Sequence, residues 1–390
     1  MKIEIYSPTI RRKEMDAVLT AMVEEKIGPG DRNRLLIHTA KEQIHFDFAL
    51  ALRSSAVALH LALKVLSADN GNVSGAERES PRQGAVKGVI VSALSPRYYL
   101  QVIEDLQLTP LFCDVSFDFP CMNRQTIENA IAKKPSDMEI CAIVLHHTLG
   151  FVPDTAAVLE LGIPVIEDIS QSCGFWIKPA GIKDETSASD DKTKGEKNNA
   201  ALSQISSSQP KLSGVFIILG LEERDMLTSG GGALLFAMNR RDGSLLRNFS
   251  GIAYEYCLPD INAALAVVQF RELQRSIDRR QEISHVYNHA CMRSRHKRFI
   301  PVTEDEYNNY SFSLVLETGL KDVIAYARKK EIAVESAFEN TLAGCGLSAG
   351  AFGDCPVSSS LALRTVIFPI YPRLRSQEAE RVSKLIMTLP

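Results

Sequence analysis

The chain of 390 residues lacks most of the features that would settle a function early. It has eight cysteines but no Cys-x-x-Cys pair, which excludes a disulfide-stapled scaffold and the usual spacing of a structural zinc site. It has no surplus of charge of either sign. Lys plus Arg number 44 and Asp plus Glu 47, for a formal net charge of −3, so no basic surface draws it to nucleic acid or an anionic membrane. It has no long apolar run. Among its longest stretches without a charge is the 14-residue segment 140–153, well short of the ~20 residues that a spanning helix needs. The opening residues, MKIEIYSPTIRRKEMD, contain no apolar core of the signal-peptide kind. A reduced, cytoplasmic protein is the expectation. What is present is ordinary: 45% hydrophobic and 23% charged residues, values that exclude a disordered or fibrous chain.

The pattern along the chain alternates between two periods. Residues 14–25 carry Met15, Val18, Leu19, Met22 and Val23 at helical spacing, and residues 56–66 (AVALHLALKVL) read as a second helix. Short apolar runs follow at 88–92 (GVIVS), 109–115 (TPLFCDV), 140–145 (ICAIVL) and 163–166 (IPVI), separated by helical stretches at 100–106, 126–133 and 156–161. Strand and helix in alternation, with strands apolar throughout, predict an α/β domain around a mostly parallel sheet. Residues 178–211 interrupt the rhythm with Lys, Asp, Ser, Thr and Asn and no aromatic side chain, the composition of a disordered surface insertion. The core pattern resumes at 214–219 (GVFIIL) and 233–237 (ALLFA). One helix is expected over 260–277, a strand over 310–316 and helices over 320–330 and 376–387. The division predicted is a large domain over 1–250 and a smaller α/β domain over 251–390.

Three groups of residues invite a chemical reading. Asp168 follows Glu167 at the carboxyl end of a predicted parallel strand, the edge at which open α/β sheets bind ligands. His146 and His147 end another strand. Neighbours on a strand point to opposite faces, so they make a poor chelating pair and only one of them can reach a cleft. Gly230, Gly231 and Gly232 precede a strand rather than opening a helix after one, which suits a tight turn and not a dinucleotide loop. No metal site is expected.

Taken in order, several stretches resemble the sugar aminotransferases of the DegT/DnrJ type. Residues 53–63 (RSSAVALHLAL) are similar to that family's Ser-Ser-Gly-Thr-Ala-Ala-Leu-His-Leu-Ala-Leu segment. Residues 110–115 resemble Pro-x-Phe-x-Asp-Val, 147–150 (HTLG) resemble His-Leu-Tyr-Gly, and 165–174 (VIEDISQSCG) resemble Val-Ile-Glu-Asp-Ala-Ala-Gln-Ala-x-Gly. Residues 228–234 are similar to Thr-Gly-Glu-Gly-Gly-Ala-Val, and 368–382 (FPIYPRLRSQEAERV) to the family's C-terminal Leu-Pro-Leu-Tyr-Pro segment. The insertion 178–211 lies outside the pattern.

The resemblance implies the aspartate-aminotransferase-like fold of PLP-dependent transferases (fold type I), with a large mixed, mostly parallel sheet and a smaller C-terminal α/β domain. It implies pyridoxal phosphate as cofactor, a nucleotide sugar as ligand, a homodimer, and a setting in polysaccharide or antibiotic-sugar synthesis. It also places the departures. The position of the imine-forming lysine is Arg224, whose guanidinium stays protonated and cannot form an imine, and residues 212–296 contain no lysine. The phosphate-cradling Gly-Thr is Ser55-Ala56, and the Ser-Phe before the lysine is Leu219-Gly220. The ring-stacking aromatic falls at Pro96, with Tyr98 or Tyr99 close by. The asparagine that reaches a partner's phosphate falls at Glu255. Asp168 matches the partner of the pyridine nitrogen and Gln171 the glutamine near the ring.

The expectation is therefore a pseudoenzyme-like homologue that holds pyridoxal phosphate non-covalently if it holds it at all. Two alternatives stand beside it. One is an enzyme without the lysine, dehydratase-like, with His147, Glu222 or Glu223 as base, or an ordinary aminotransferase. The other is a non-catalytic scaffold paired with an active paralogue as a heterodimer.

Overall fold

A computed structural model describes residues 2–44, 46, 48–68, 86–174, 212–248, 252–301, 307–317, 319–345 and 355–390. The expected insertion at 178–211 lies outside these.

A seven-stranded sheet organises the larger part. Its strands are β1 (Phe48–Leu52), β2 (Val86–Ser92), β3 (Thr109–Cys113), β4 (Met138–His146), β5 (Val165–Asp168), β6 (Phe216–Gly220) and β7 (Ala233–Ala237), in the order β1-β7-β6-β5-β4-β2-β3. The strands from β6 to β3 run parallel. β7 is antiparallel to β6, and β1 to β7. The sheet is thus mixed and mostly parallel, as expected. The apolar runs follow from its two covered faces. Phe216 and Ile218 pack with α3 (Ser55–Ser67) and α4 (Tyr98–Asp105), whereas Ile217 and Leu219 pack on the other side against α2 (Asp31–Ile44). Alternate residues therefore face different helices while none faces water, which removes the polar half of the period-two pattern. The parallel strands are joined by α4, α5 (Arg124–Ala132) and α6 (Thr155–Leu159).

The smaller part is a three-stranded antiparallel sheet in the order β8-β10-β9 (Phe312–Val315, Thr365–Phe368, Glu335–Ser336). Its core joins residues of Leu273–Cys291, Leu320–Lys329 and Ser376–Met387, and it takes in Ile3 from the chain's start. The helix expected over 260–277 is two helices, Asp260–Arg271 and Leu273–Cys291, which meet at Glu272. The Glu272 carboxylate holds Arg11 and Lys13 of the first helical segment there. Asp260–Arg271 belongs to the larger core through Ala263, Val267 and Phe270. The change of core falls inside the next helix: Leu273 and Ile277 pack with the large sheet, Ile283 and Tyr287 with the small one. No helix is long and apolar enough to cross a membrane among the described residues.

Candidate functional site

A cleft of about 430 Å³ opens at the carboxyl ends of β4, β5 and β6, with residues of the small part, Tyr310 and Glu335 among them, on its far wall. This is where a parallel sheet's strand ends and helix starts converge.

Asp168 ends β5 and is almost fully buried. Both of its carboxylate oxygens are engaged. Oδ2 accepts hydrogen bonds from the Tyr99 hydroxyl at 2.6 Å and the Tyr98 hydroxyl at 3.2 Å. Oδ1 accepts from the Ser170 backbone N–H at 3.0 Å and from the Ser170 hydroxyl. Tyr98 and Tyr99 start α4, which aims the two phenols side by side. Burial, then the Asp168 charge, push both phenols well above their ordinary value and keep them as donors.

The register β4–β5 pairs His146 with Asp168, so these two share a face. His146 lines the cleft, with its Nδ1 3.0 Å from the Thr148 hydroxyl. Burial lowers its ring to about 4, so it is neutral at physiological pH. His147, the histidine singled out from the HTLG segment, points the other way and is not in the cleft wall. It is fully buried, with Nδ1 2.7 Å from the Ser172 hydroxyl and Nε2 3.4 Å from Glu167. Glu167 shares that structural face. It accepts from the Ser213 N–H at 2.8 Å, the Gly214 N–H and the Thr155 hydroxyl, tying the resumed chain to β5.

Gln171 lines the cleft, and its Oε1 accepts from the Leu149 N–H at 2.7 Å. That bond fixes a residue in the left-handed region, with φ of 57°. Ser55 also lines the cleft, but Ala56 and Glu255 do not. Glu255 lies on an exposed turn, Tyr254–Tyr256, where its carbonyl accepts from Arg53 Nε at 2.8 Å.

The loop after β6 arranges its charges in a way the sequence did not suggest. Arg224 reaches across the cleft mouth, half exposed, and pairs with Glu335 at 2.9 Å. Its carbonyl accepts from the Tyr310 hydroxyl at 2.8 Å. The next residue, Asp225, turns inward. Its carboxyl packs over the bare Cα of Gly220, beside the hydroxyls of Ser170 and Ser55, and Oδ2 accepts from the Glu222 N–H at 2.8 Å. Burial, with the nearby charges of Asp168 and Glu222, pushes Asp225 up to about 8. It is therefore protonated at neutral pH and can donate a hydrogen bond into the cleft.

Glu222 lines the cleft with its Oε2 against the glycine turn, 3.6 Å from where a Cβ on Gly231 would stand. All three glycines have positive φ, and a Cβ on Gly232 would meet Leu258 at 2.5 Å. They form the tight turn into β7 that their order suggests. Among the described residues, no group of three or more His, Cys, Asp and Glu side chains is arranged to hold a metal ion.

Comparison with solved structures gives chains of the same fold. The sugar aminotransferase Spr1654 of Streptococcus pneumoniae, described as putative and solved in a PLP-form, superposes with a TM-score of 0.77 at 17% identity, over 100% of this chain and 98% of that one. Helicobacter pylori PseC, an aminotransferase involved in the biosynthesis of pseudoaminic acid, gives a TM-score of 0.77 at 14% identity, over 99% and 98%. A DegT DnrJ EryC1 StrS aminotransferase from Brucella abortus gives 0.75 at 18% identity, over 96% and 94%. The family profile described as DegT/DnrJ/EryC1/StrS aminotransferase matches residues 8–188 and 235–387, nearly the whole described chain. The chain belongs to the DegT/DnrJ/EryC1/StrS aminotransferase family.

Proposed function

We propose that this chain is a family member that holds a small sugar-type ligand in its cleft without imine chemistry. The observation that carries the reading is the pairing of Arg224 with Glu335 at the position expected for the lysine. A guanidinium neither loses its proton at physiological pH nor attacks an aldehyde, and this one is held by Glu335.

Pyridoxal phosphate, if held, is held without a covalent link and in competition with contacts already made. A pyridine nitrogen would need an oxygen of Asp168, and both are already taken by Tyr98, Tyr99 and Ser170. The lining instead suits a polyhydroxylated ring. Tyr98, Tyr310 and Phe338 offer flat apolar faces, while Gln171, Asn340 and Ser311 offer polar groups. Relatives named as sugar aminotransferases support a sugar as the class of ligand.

We also read the protein as a dimer. Met15, Leu19, Met22 and Val23 form one exposed apolar face on the helix Arg12–Val23, next to exposed Ile27. A contiguous face of this kind is the mark of a protein contact.

The test of the cofactor reading is chemical. Purified protein is mixed with pyridoxal phosphate, treated with borohydride and weighed by intact-mass and peptide mass spectrometry. No stoichiometric pyridoxyl adduct is expected. One adduct per chain, mapped to a single lysine, would overturn the reading.

A further inference from the structure

The helix Leu273–Cys291 carries, in its last turns, two histidines that the cleft does not use. His285 and His289 stand four residues apart, so they share one face of the helix, and both are exposed. Their rings meet edge to face with centroids 4.8 Å apart, and the two Nε2 atoms are 3.2 Å from each other. In that arrangement one ring donates its Nε2–H to the Nε2 lone pair of the other.

We propose that His285 and His289 form a two-point chelate for a divalent transition-metal ion of the zinc or nickel class, at a site apart from the cleft and independent of what the cleft holds.

The spacing suits such an ion. Imidazole nitrogen binds zinc at ~2.0–2.1 Å. Two nitrogens 3.2 Å apart, each at that distance from one ion, subtend an angle of ~100° there, against ~109° for a tetrahedron. The ion takes the place of the shared hydrogen. The donor ring then carries its proton on Nδ1, both Nε2 lone pairs face the metal, and the pair loses no proton. The helix holds both rings on one rigid backbone, so the second bond forms at the high effective concentration of an intramolecular ligand. Magnesium and calcium prefer oxygen donors and have no claim on this pair.

The surroundings leave room for a cation. Arg279, earlier on the same helix, is paired with Glu282 at 2.6 Å. Arg298 lies over the Phe312 ring at 4.6 Å and donates to the Asn288 side chain, so its guanidinium is engaged there. His285 also borders a hollow of about 290 Å³ with Gln281 and Asn288. Among the described residues no third His, Cys, Asp or Glu completes a ligand group, so the remaining positions of the ion stay open to water from that side.

The chain without an affinity tag is titrated with nickel chloride and with zinc chloride by isothermal calorimetry, alongside His285→Ala, His289→Ala and His289→Gln. The unaltered chain is expected to bind one ion per chain at this site. Each variant is expected to bind at least tenfold more weakly, because either loss leaves a single imidazole. The eight cysteines are the same in all four proteins, so any ion they hold appears equally in each. His289→Gln keeps a polar side chain and guards against a fold defect in the alanine variants. Each ion should also raise the melting temperature of the unaltered chain by more than that of the variants. Equal affinity in the unaltered chain and either alanine variant would overturn the proposal, and so would an unaltered chain with no saturable binding of either ion.

Discussion

Asp225 allows a prediction with a definite sign and window. An unfolded aspartate titrates near 3.8, whereas burial against Asp168 and Glu222 raises this one to about 8 in the folded chain. Between those values the folded protein keeps a proton that the unfolded chain has released. Stability therefore falls as pH rises through the window, by at most ~1.4 kcal/mol per pH unit. His146 works in the opposite direction, since its ring is lowered from 6.5 to about 4 and its contribution grows as pH rises between these values. The two slopes offset each other below pH 6.5. Above it, His146 is neutral in both states and Asp225 titrates without that opposition. Across pH 6.5 to 8 the loss due to Asp225 amounts to about 1 to 2 kcal/mol. Asp225→Asn keeps an oxygen to accept from the Glu222 N–H and removes the titration. Urea unfolding of both proteins at intervals of half a pH unit should show the gap between them widening in favour of the variant over this range. Parallel curves would refute the buried, protonated carboxyl on which the cleft's donor depends.

Two further substitutions probe other levels of the structure. Gly220→Ala would place a methyl group 2.8 Å from the Ser170 and Ser55 hydroxyls and closer still to Asp225. It is expected to cost about 1 to 3 kcal/mol in urea unfolding, and a fully stable variant would show that the floor of the cleft is looser than described. Leu19→Glu puts a charge in the middle of the exposed Met15, Leu19, Met22 and Val23 face. Light scattering is expected to give a dimer mass for the unaltered chain and a monomer mass for the variant, with equal masses counting against that face as a contact.

Much of the fold was legible because the sheet is buried on both sides. Runs such as FIILG in β6 and ALLFA in β7 carry no polar residue, and nothing but a central strand fits such a run at that length. The helix Asp31–Ile44 was not legible. It buries only Leu36, Thr39, Ala40 and Ile44, and its other apolar residues, Leu35 and Ile37, flank Leu36 rather than extend the stripe, so no period stands out. The crossing between cores was hidden for a different reason. It occurs inside one uninterrupted helix, Leu273–Cys291, and a continuous helical pattern gives no sign that its two ends serve different cores.

Within the site, strand parity settled more than residue type. Sequence spacing says that His146 and His147 face apart but not which of them shares a face with Asp168. Register decides it, since His146 lies opposite Asp168 in the ladder and the odd-numbered pair, His147 and Glu167, is turned to the other side. The loop after β6 shows the same limit more sharply. The sequence treats Glu222 and Glu223 alike as candidate bases beside Arg224, yet a turn closed by the Asp225 N–H and the Glu222 carbonyl sends residues 222–225 in different directions. Arg224 goes out to Glu335, Asp225 goes in over Gly220, and Glu222 lies against the glycine turn at Gly231. The signal that was present is Gly220 itself. A residue with no side chain at the end of a buried strand leaves a volume that a neighbour must fill, and here the filler is a carboxyl. The bare Cα of Gly220 and the inward turn of Asp225 are thus one structural feature and not two: the space over Gly220 is taken by Asp225, whose burial in turn favours the proton that makes it a donor.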